Sequence, residues 1–401
     1  MFMKLSNRVL GLTTSPIRKL TPYANAAVKA GKKVYHLNIG QPDIPTSPQF
    51  MEAIRAFDGK VISYGPSQGN PELLKAIARY YQAWGMNYTE QNIYVTNGGS
   101  EALQFAAMSL CDPGDEILVF EPFYANYTTF VRLASAKIRA VPTAAENGYR
   151  LPAKEVVEQY ITPRTKAILL TNPGNPTGVV YNKDEMRMIA DVVLEHNLAL
   201  ISDEVYREFV YDGEYTSFGT FDDLADNLIL IDSVSKRYSA CGARIGCVVT
   251  KNADLCAQLN KLCQGRLCAP ELEQIGAAAI YEKTPKSYLE DVNKEYKRRR
   301  DTIAAGLARI PGLLSSQPKG AFYVMVKLPV DDAEKFAIWM LQNFEENGET
   351  VMIAPGNGFY ATPGKGKSEA RLAYVLNCHD LERAMDLLAK GLKAYPGYTL
   401  K

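Results

Sequence analysis

The sequence predicts an α/β protein: a large domain on a mostly parallel sheet covered on both faces, followed by a smaller α+β domain. Three observations carry this. Apolar runs without polar alternation recur at 166–171, 198–202 and 228–231, the pattern of strands buried on both faces. Helical periodicities alternate with them, which is the rhythm of crossover helices between parallel strands. At 401 residues the chain exceeds a usual single domain and has room for two cores.

In chain order, Thr21-Pro22 reads as a cap followed by proline at the first helical position, and Gly31 closes that helix. Residues 34–39 form a short strand leading into Gly40-Gln-Pro-Asp43. After Tyr64-Gly-Pro-Ser-Gln-Gly69, Asn70-Pro71 caps a helix with Leu73, Leu74, Ile77, Tyr81 and Trp84 on one face. Strand 93–96, the turn Asn97-Gly-Gly99 and helix 100–110 follow, with Leu103, Ala106, Ala107 and Leu110 inward. A glycine turn at a helix start is often only a tight turn, but it also offers free N–H groups and a positive dipole end to a phosphate. Asp112-Pro-Gly-Asp115 is a turn before strand 116–120, after which comes Tyr124. Strand 137–141 and helix 151–160 precede the buried strand 166–171.

That strand feeds Asn172-Pro-Gly-Asn-Pro-Thr-Gly178, whose two Asn-Pro steps push each asparagine out of the helical region. Asn182 and Glu185 form a capping box for the helix reaching His196. Strand 198–202 ends at Asp203, three residues before Tyr206. Strand 228–231 leads to Ser233, Ser235 and Lys236, with Arg244 eight residues on. A lysine there can form a Schiff base, while the serines and arginine can bind an anion. Asn175, Asp203 and Lys236 all follow strand ends, where active residues of such sheets gather.

From Thr284 the texture changes. Residues 288–310 are helical and carry Lys297-Arg-Arg-Arg300, read as a solvated helix face because no net positive balance or aromatic interleaving marks a nucleic-acid patch. Strands 322–328 and 371–376 flank helix 332–347. Ala361-Thr-Pro-Gly-Lys-Gly-Lys-Ser368 nearly matches a nucleotide phosphate loop, but its first position is not glycine and it opens onto a strand instead of a helix.

Composition narrows the class. Hydrophobic content of 47%, charged content of 22% and a net charge of +1 suit a globular enzyme and give no field for nucleic acid or an anionic membrane. The seven cysteines are scattered without a Cys-x-x-Cys pair, and there are three histidines, so a reduced, metal-free, cytoplasmic protein is expected. No stretch approaches the roughly 18 apolar residues of a membrane span. Polar residues interrupt 1–14, so no signal peptide is read there.

Taken together, Asn172-Pro-Gly-Asn-Pro-Thr-Gly178, Asp203-Glu-Val-Tyr206 and Ser-Val-Ser-Lys236 through Arg244 resemble the class I/II aminotransferases, pyridoxal-phosphate enzymes of fold type I. The resemblance runs from about Ser15 to the C-terminus. It implies a large cofactor domain at 46–285 and a small domain at 286–401 joined by residues 1–45. It implies a homodimer in which Tyr64 crosses to the neighbour's cofactor phosphate.

By the same resemblance Lys236 carries the cofactor and moves the proton, Asp203 faces the ring nitrogen, and Tyr206 and Asn175 bond the phenolic oxygen. Tyr124 lies against the ring, and Gly99, Ser100, Ser233, Ser235 and Arg244 receive the phosphate. Arg371 binds the substrate carboxylate with Asn175 and Gly40. The expected reaction is amino transfer between an L-amino acid and a 2-oxo acid, of aspartate or aromatic type. Elimination from a cysteine conjugate (a C–S β-lyase) runs on the same scaffold, and keto-acid dependence of turnover separates the two. A non-catalytic regulator would carry an added DNA-binding module, for which the residues before Ser15 are too few. Arg18 and Arg266 are both candidates for a second substrate carboxylate, and either reads equally as a surface or interface charge.

Overall fold

The computed structural model describes residues 3–12 and 14–400. Its first strand, β1 (Lys33–His36), precedes seven strands that share one sheet: β2 (Ile93–Asn97), β3 (Glu116–Glu121), β4 (Lys137–Pro142), β5 (Thr165–Thr171), β6 (Ala199–Asp203), β7 (Leu228–Ser233) and β8 (Ile245–Val249). Their order is β2-β8-β7-β6-β5-β3-β4, with β8 alone running antiparallel to its neighbours. Successive side chains of β7 show why no polar alternation was needed. Leu228 and Leu230 enter one core cluster and Ile229 and Ile231 another, on opposite faces of the sheet. Burying each such side chain contributes about 1.5–3 kcal/mol.

The remaining strands are β9 (Leu314–Ser315), β10 (Tyr323–Lys327), β11 (Glu349–Met352), β12 (Ala354–Pro355) and β13 (Glu369–Ala373). They form an antiparallel sheet in the order β12-β13-β10-β9, while β11 pairs in parallel with β1. The helices Lys286–Ala308 and Cys378–Ala394 pack here around Tyr296, Ile303, Phe322, Leu381 and Leu388. No helix of the described residues is long and apolar enough to cross a membrane.

Local expectations hold where capping chemistry is explicit. Asn182 accepts from Glu185 N at 2.9 Å and Glu185 returns the bond to Asn182 N at 2.9 Å. Asn70 caps Pro71–Ala83 by accepting from Glu72 N. Elsewhere they shift. Thr21 is the first residue of helix Thr21–Lys29, not its cap, since Leu20 takes that place without a side-chain bond. The helix expected from 151 is confined to Lys154–Glu158, because Ala153 is still extended with ψ 154°. The helix expected from Ser100 begins at Gly98.

The largest correction concerns Lys297-Arg-Arg-Arg300. Only Lys297 and Arg298 face solvent; Arg299 and Arg300 are buried. Arg299 pairs with Asp43 at 2.6 Å and Glu295 at 2.8 Å, and Arg300 with Asp212 at 2.7 Å and the Pro318 carbonyl. Their helix face continues the buried stripe of Val292, Tyr296 and Ile303. Paired carboxylates from distant loops make that burial tolerable.

Candidate active site

The C-terminal ends of the parallel strands open into a cavity of about 640 Å³ roofed by the small sheet. It gathers every residue expected at the site except Tyr64, which is 81% exposed and outside the cavity of its own chain.

Asp203 ends β6 and is 4% exposed. It accepts from the Tyr127 hydroxyl at 2.7 Å and from Val205 N at 3.4 Å, and no cation pairs with it among the described residues. Loss of water pushes its carboxyl up to about 6, against the smaller downward pull of the Tyr127 bond. A buried acid so placed is suited to a cationic ligand atom. Lys236 lies in the short helix Val234–Arg237 that Ser233 caps. Its Nζ donates to the Gly40 carbonyl at 2.9 Å and lies 4.0 Å from Cys241 Sγ. No other lysine lines the cavity.

The helix Gly98–Leu110 brings its start to the cavity at Gly99 and Ser100. Gly98 is required there: its φ is 72°, and a Cβ would overlap the Arg244 guanidinium. Arg244, itself left-handed at φ 53°, donates to the carbonyls of Cys241 and Asn97 at 3.0 and 3.1 Å. Ser100, Ser233 and Ser235 line the same end. Free helix N–H groups, hydroxyls and a guanidinium make a donor set suited to a phosphate.

At the other end Arg371 of β13 is 1% exposed. It donates to Asn175 Oδ1 at 3.0 Å and to the Asn38 carbonyl at 2.7 Å, and its Nε finds no partner. Burial lowers its guanidinium below the ordinary value. No carboxylate answers this charge among the described residues, a costly state that a ligand carboxylate relieves. Because Asn175 Oδ1 is engaged by Arg371, its amide N–H groups are left for a ligand. The Tyr206 hydroxyl lies 2.8 Å from that of Tyr323, and Gly40 is glycine because a Cβ would overlap the same Tyr323 hydroxyl. Tyr124 lines the cavity edge-on to Tyr127, its phenol pushed up to about 12 by burial.

Tyr127, Tyr323 and Cys241 were not anticipated. Tyr127 opens the short helix Tyr127–Leu133, and nothing local in the sequence singled it out among the tyrosines. Tyr323 comes from the far sheet and left no signal either. Of the two extra arginines, Arg18 lines the cavity. Arg266 does not, being bonded to Glu101 at 2.7 Å and to the carbonyls of Ser67 and Val95. The glycine-lysine decoy at 361–368 runs into β13 and starts no helix.

Comparison with known proteins matches residues 32–388 to the family described as aminotransferase class I and II. The chain is 32% identical to a probable aspartate/prephenate aminotransferase of Thermus aquaticus, covering 94% of this chain and 98% of that protein. It is 30% identical to aromatic-amino-acid aminotransferase 2 of Thermococcus litoralis, covering 98% and 99%. An alanine aminotransferase structure from Pyrococcus furiosus superposes with a TM-score of 0.89 at 33% identity, covering 98% of this chain and all of that one.

Proposed function

The chain belongs to the class I and II aminotransferases, and from that premise we propose that its cavity binds pyridoxal 5'-phosphate. There it moves an amino group between an L-amino acid and a 2-oxo acid, of aspartate or aromatic type. One observation carries the reading: Lys236, the unpaired buried acid Asp203 and the guanidiniums of Arg244 and Arg371 line a single small cavity. Bound there, pyridoxal phosphate supplies an aldehyde for amines and a ring that draws electrons from the bonds at the amino acid's α-carbon.

The chain's own groups do the rest. Asp203 supplies the anion facing the ring nitrogen. Tyr206 and Asn175 donate to the phenolic oxygen, and Tyr124 walls the ring. Gly99, Ser100, Ser233, Ser235 and Arg244 hold the phosphate, joined by Tyr64 from a second subunit of a homodimer. Arg371, with Asn175 and Gly40, fixes the substrate α-carboxylate. Lys236 Nζ, the cavity's one amine, then takes the α-proton at close range, where positioning replaces a bimolecular encounter. The Tyr206–Tyr323 contact supports the small sheet as the wall that excludes water from this proton.

We further propose that residues 46–285 are the cofactor domain, that 1–45 and 286–401 together form the small domain, and that the protein works in the cytoplasm. The decisive experiment records the visible spectrum of the purified protein with pyridoxal phosphate, before and after adding amino acid. A cofactor band that shifts with amino acid and returns with 2-oxo acid is expected. No band under any condition defeats the proposal, and ammonia release without a keto-acid acceptor identifies elimination in its place. Sedimentation checks the dimer.

A further inference from the structure

We propose that Arg18 recognises the second carboxylate of a dicarboxylic amino acid, so that acidic amino acids and their 2-oxo acids are the preferred substrates. This rests on the transaminase reading above. The first argument is charge balance. The cavity's cationic side chains are Arg18, Lys236, Arg244 and Arg371, against Asp203 alone. In that reading Arg244 meets a phosphate, Arg371 an α-carboxylate, and Lys236 and Asp203 the reacting ends of the cofactor. Arg18 is the cation left over. Among the described residues its side chain makes no ion pair, hydrogen bond or ring contact.

The second argument is that Arg18 sits on a fixed strap. Pro16 and Leu20 are buried on either side of it. Pro16 packs so tightly on Gly358 that a Cβ there would overlap its ring. The Ile17 carbonyl accepts from Asn38 Nδ2 at 3.0 Å. The neighbouring Lys19 pairs with Glu334 at 2.5 Å, and Asn357 holds that carboxylate at 2.9 Å. One basic residue of the strap, Lys19, is thus neutralised within the protein, while its neighbour Arg18, exposed to solvent where it lines the cavity, has no counter-charge among the described residues. Asn38 also links the two ends of the site, because its carbonyl receives Arg371 at 2.7 Å. Asn38 therefore ties the backbone of the residue before Arg18 to the Arg371 guanidinium. Arg266, the other candidate, is already engaged by Glu101. A guanidinium takes a carboxylate through two parallel hydrogen bonds, whereas an apolar side chain leaves it only water.

The experiment measures kcat/KM of the holoenzyme for L-aspartate and L-glutamate against L-leucine and L-phenylalanine, in wild type, Arg18→Gln and Arg18→Lys. Wild type is expected to favour the acidic pair. Arg18→Gln should lower the acidic-to-apolar ratio by roughly 10- to 100-fold, mostly through KM, with Arg18→Lys between the two. The visible spectrum of each variant verifies that the cofactor is still taken up. An unchanged ratio, or equal losses on both classes, overturns the role of Arg18. A wild type that turns over only apolar donors overturns it too, yet leaves the transaminase reading standing. A wild type that transaminates no donor while holding pyridoxal phosphate overturns both.

Discussion

Two rows of polar and charged side chains lie one residue apart in the chain, all buried except Lys236, which is half-buried. Asp203, Tyr206 and Lys236 line the cavity; Glu204, Arg207 and Arg237 do not, and with Asp232 they form a buried ionic cluster. In that cluster Arg207 meets Glu204 at 2.8 Å and Asp232 at 3.4 Å, and Arg237 also pairs with Asp232. Ser202 and Ser217 donate to Glu204, and Tyr81 to Asp232. Tyr80 and Tyr81 lie against the guanidiniums of Arg237 and Arg207. Asp203 and, from β13, Arg371 are also buried and lack counter-charges among the described residues. The contrast teaches what an active site is energetically. Deep burial reaches into both rows, and the charges that lack an internal counter-charge are those lining the cavity.

Substitutions break that contrast in graded steps. Lys236→Ala should cost the most, lowering kcat by roughly 10²–10⁴-fold or more while pyridoxal phosphate binding stays measurable by absorbance. Asp232→Asn in the paired row should instead destabilise the fold by about 3–5 kcal/mol in urea titrations, since it strands Arg237 and leaves Arg207 with Glu204 alone. Arg371→Gln is expected to lower kcat/KM by roughly 10²-fold for every amino donor alike, by removing two charge-assisted contacts.

The smallest effect has the opposite sign. Burial raises the Asp203 carboxyl from 3.8 to about 6, so the folded ligand-free protein holds that proton more tightly than the unfolded chain does. Stability from this group is complete below about pH 4 and is lost as pH rises through 6. Asp203→Asn should therefore stabilise the ligand-free protein by about 1–3 kcal/mol above pH 7, a gain that closes toward pH 4, while weakening pyridoxal phosphate binding. If the substitution destabilises at neutral pH, Asp203 belongs with the paired row.

Legibility divides along the same line. Six strands of the large sheet, β2 to β7, were readable because each needs only its own run of apolar residues; β8 (Ile245–Val249), the antiparallel one, was passed over although its run is equally apolar. Asp203 and Lys236 were readable because they stand at or within a few positions of strand ends, and Arg244 because it lies eight residues past Lys236 in the same motif. Arg371 was readable only through resemblance to a family, since nothing near it in the sequence marks a buried cation. The paired row and the buried pair Arg299–Arg300 escaped notice, because what makes a buried charge tolerable is a partner far away. Asp43 and Asp212 supply it for Arg299 and Arg300, and no local pattern announces them. Tyr323 escaped for the same reason.

The bond from Arg371 to the Asn38 carbonyl closes a span of 333 residues. A ribosome adding 5–20 residues per second needs roughly 15–70 s to cross that span. All strands of the large sheet emerge within that interval, but Arg371, the proposed α-carboxylate grip, must wait for β13, the last strand. A nascent chain stalled before β13 should therefore fold much of its bulk yet lack that grip, and full competence should arrive only as synthesis finishes.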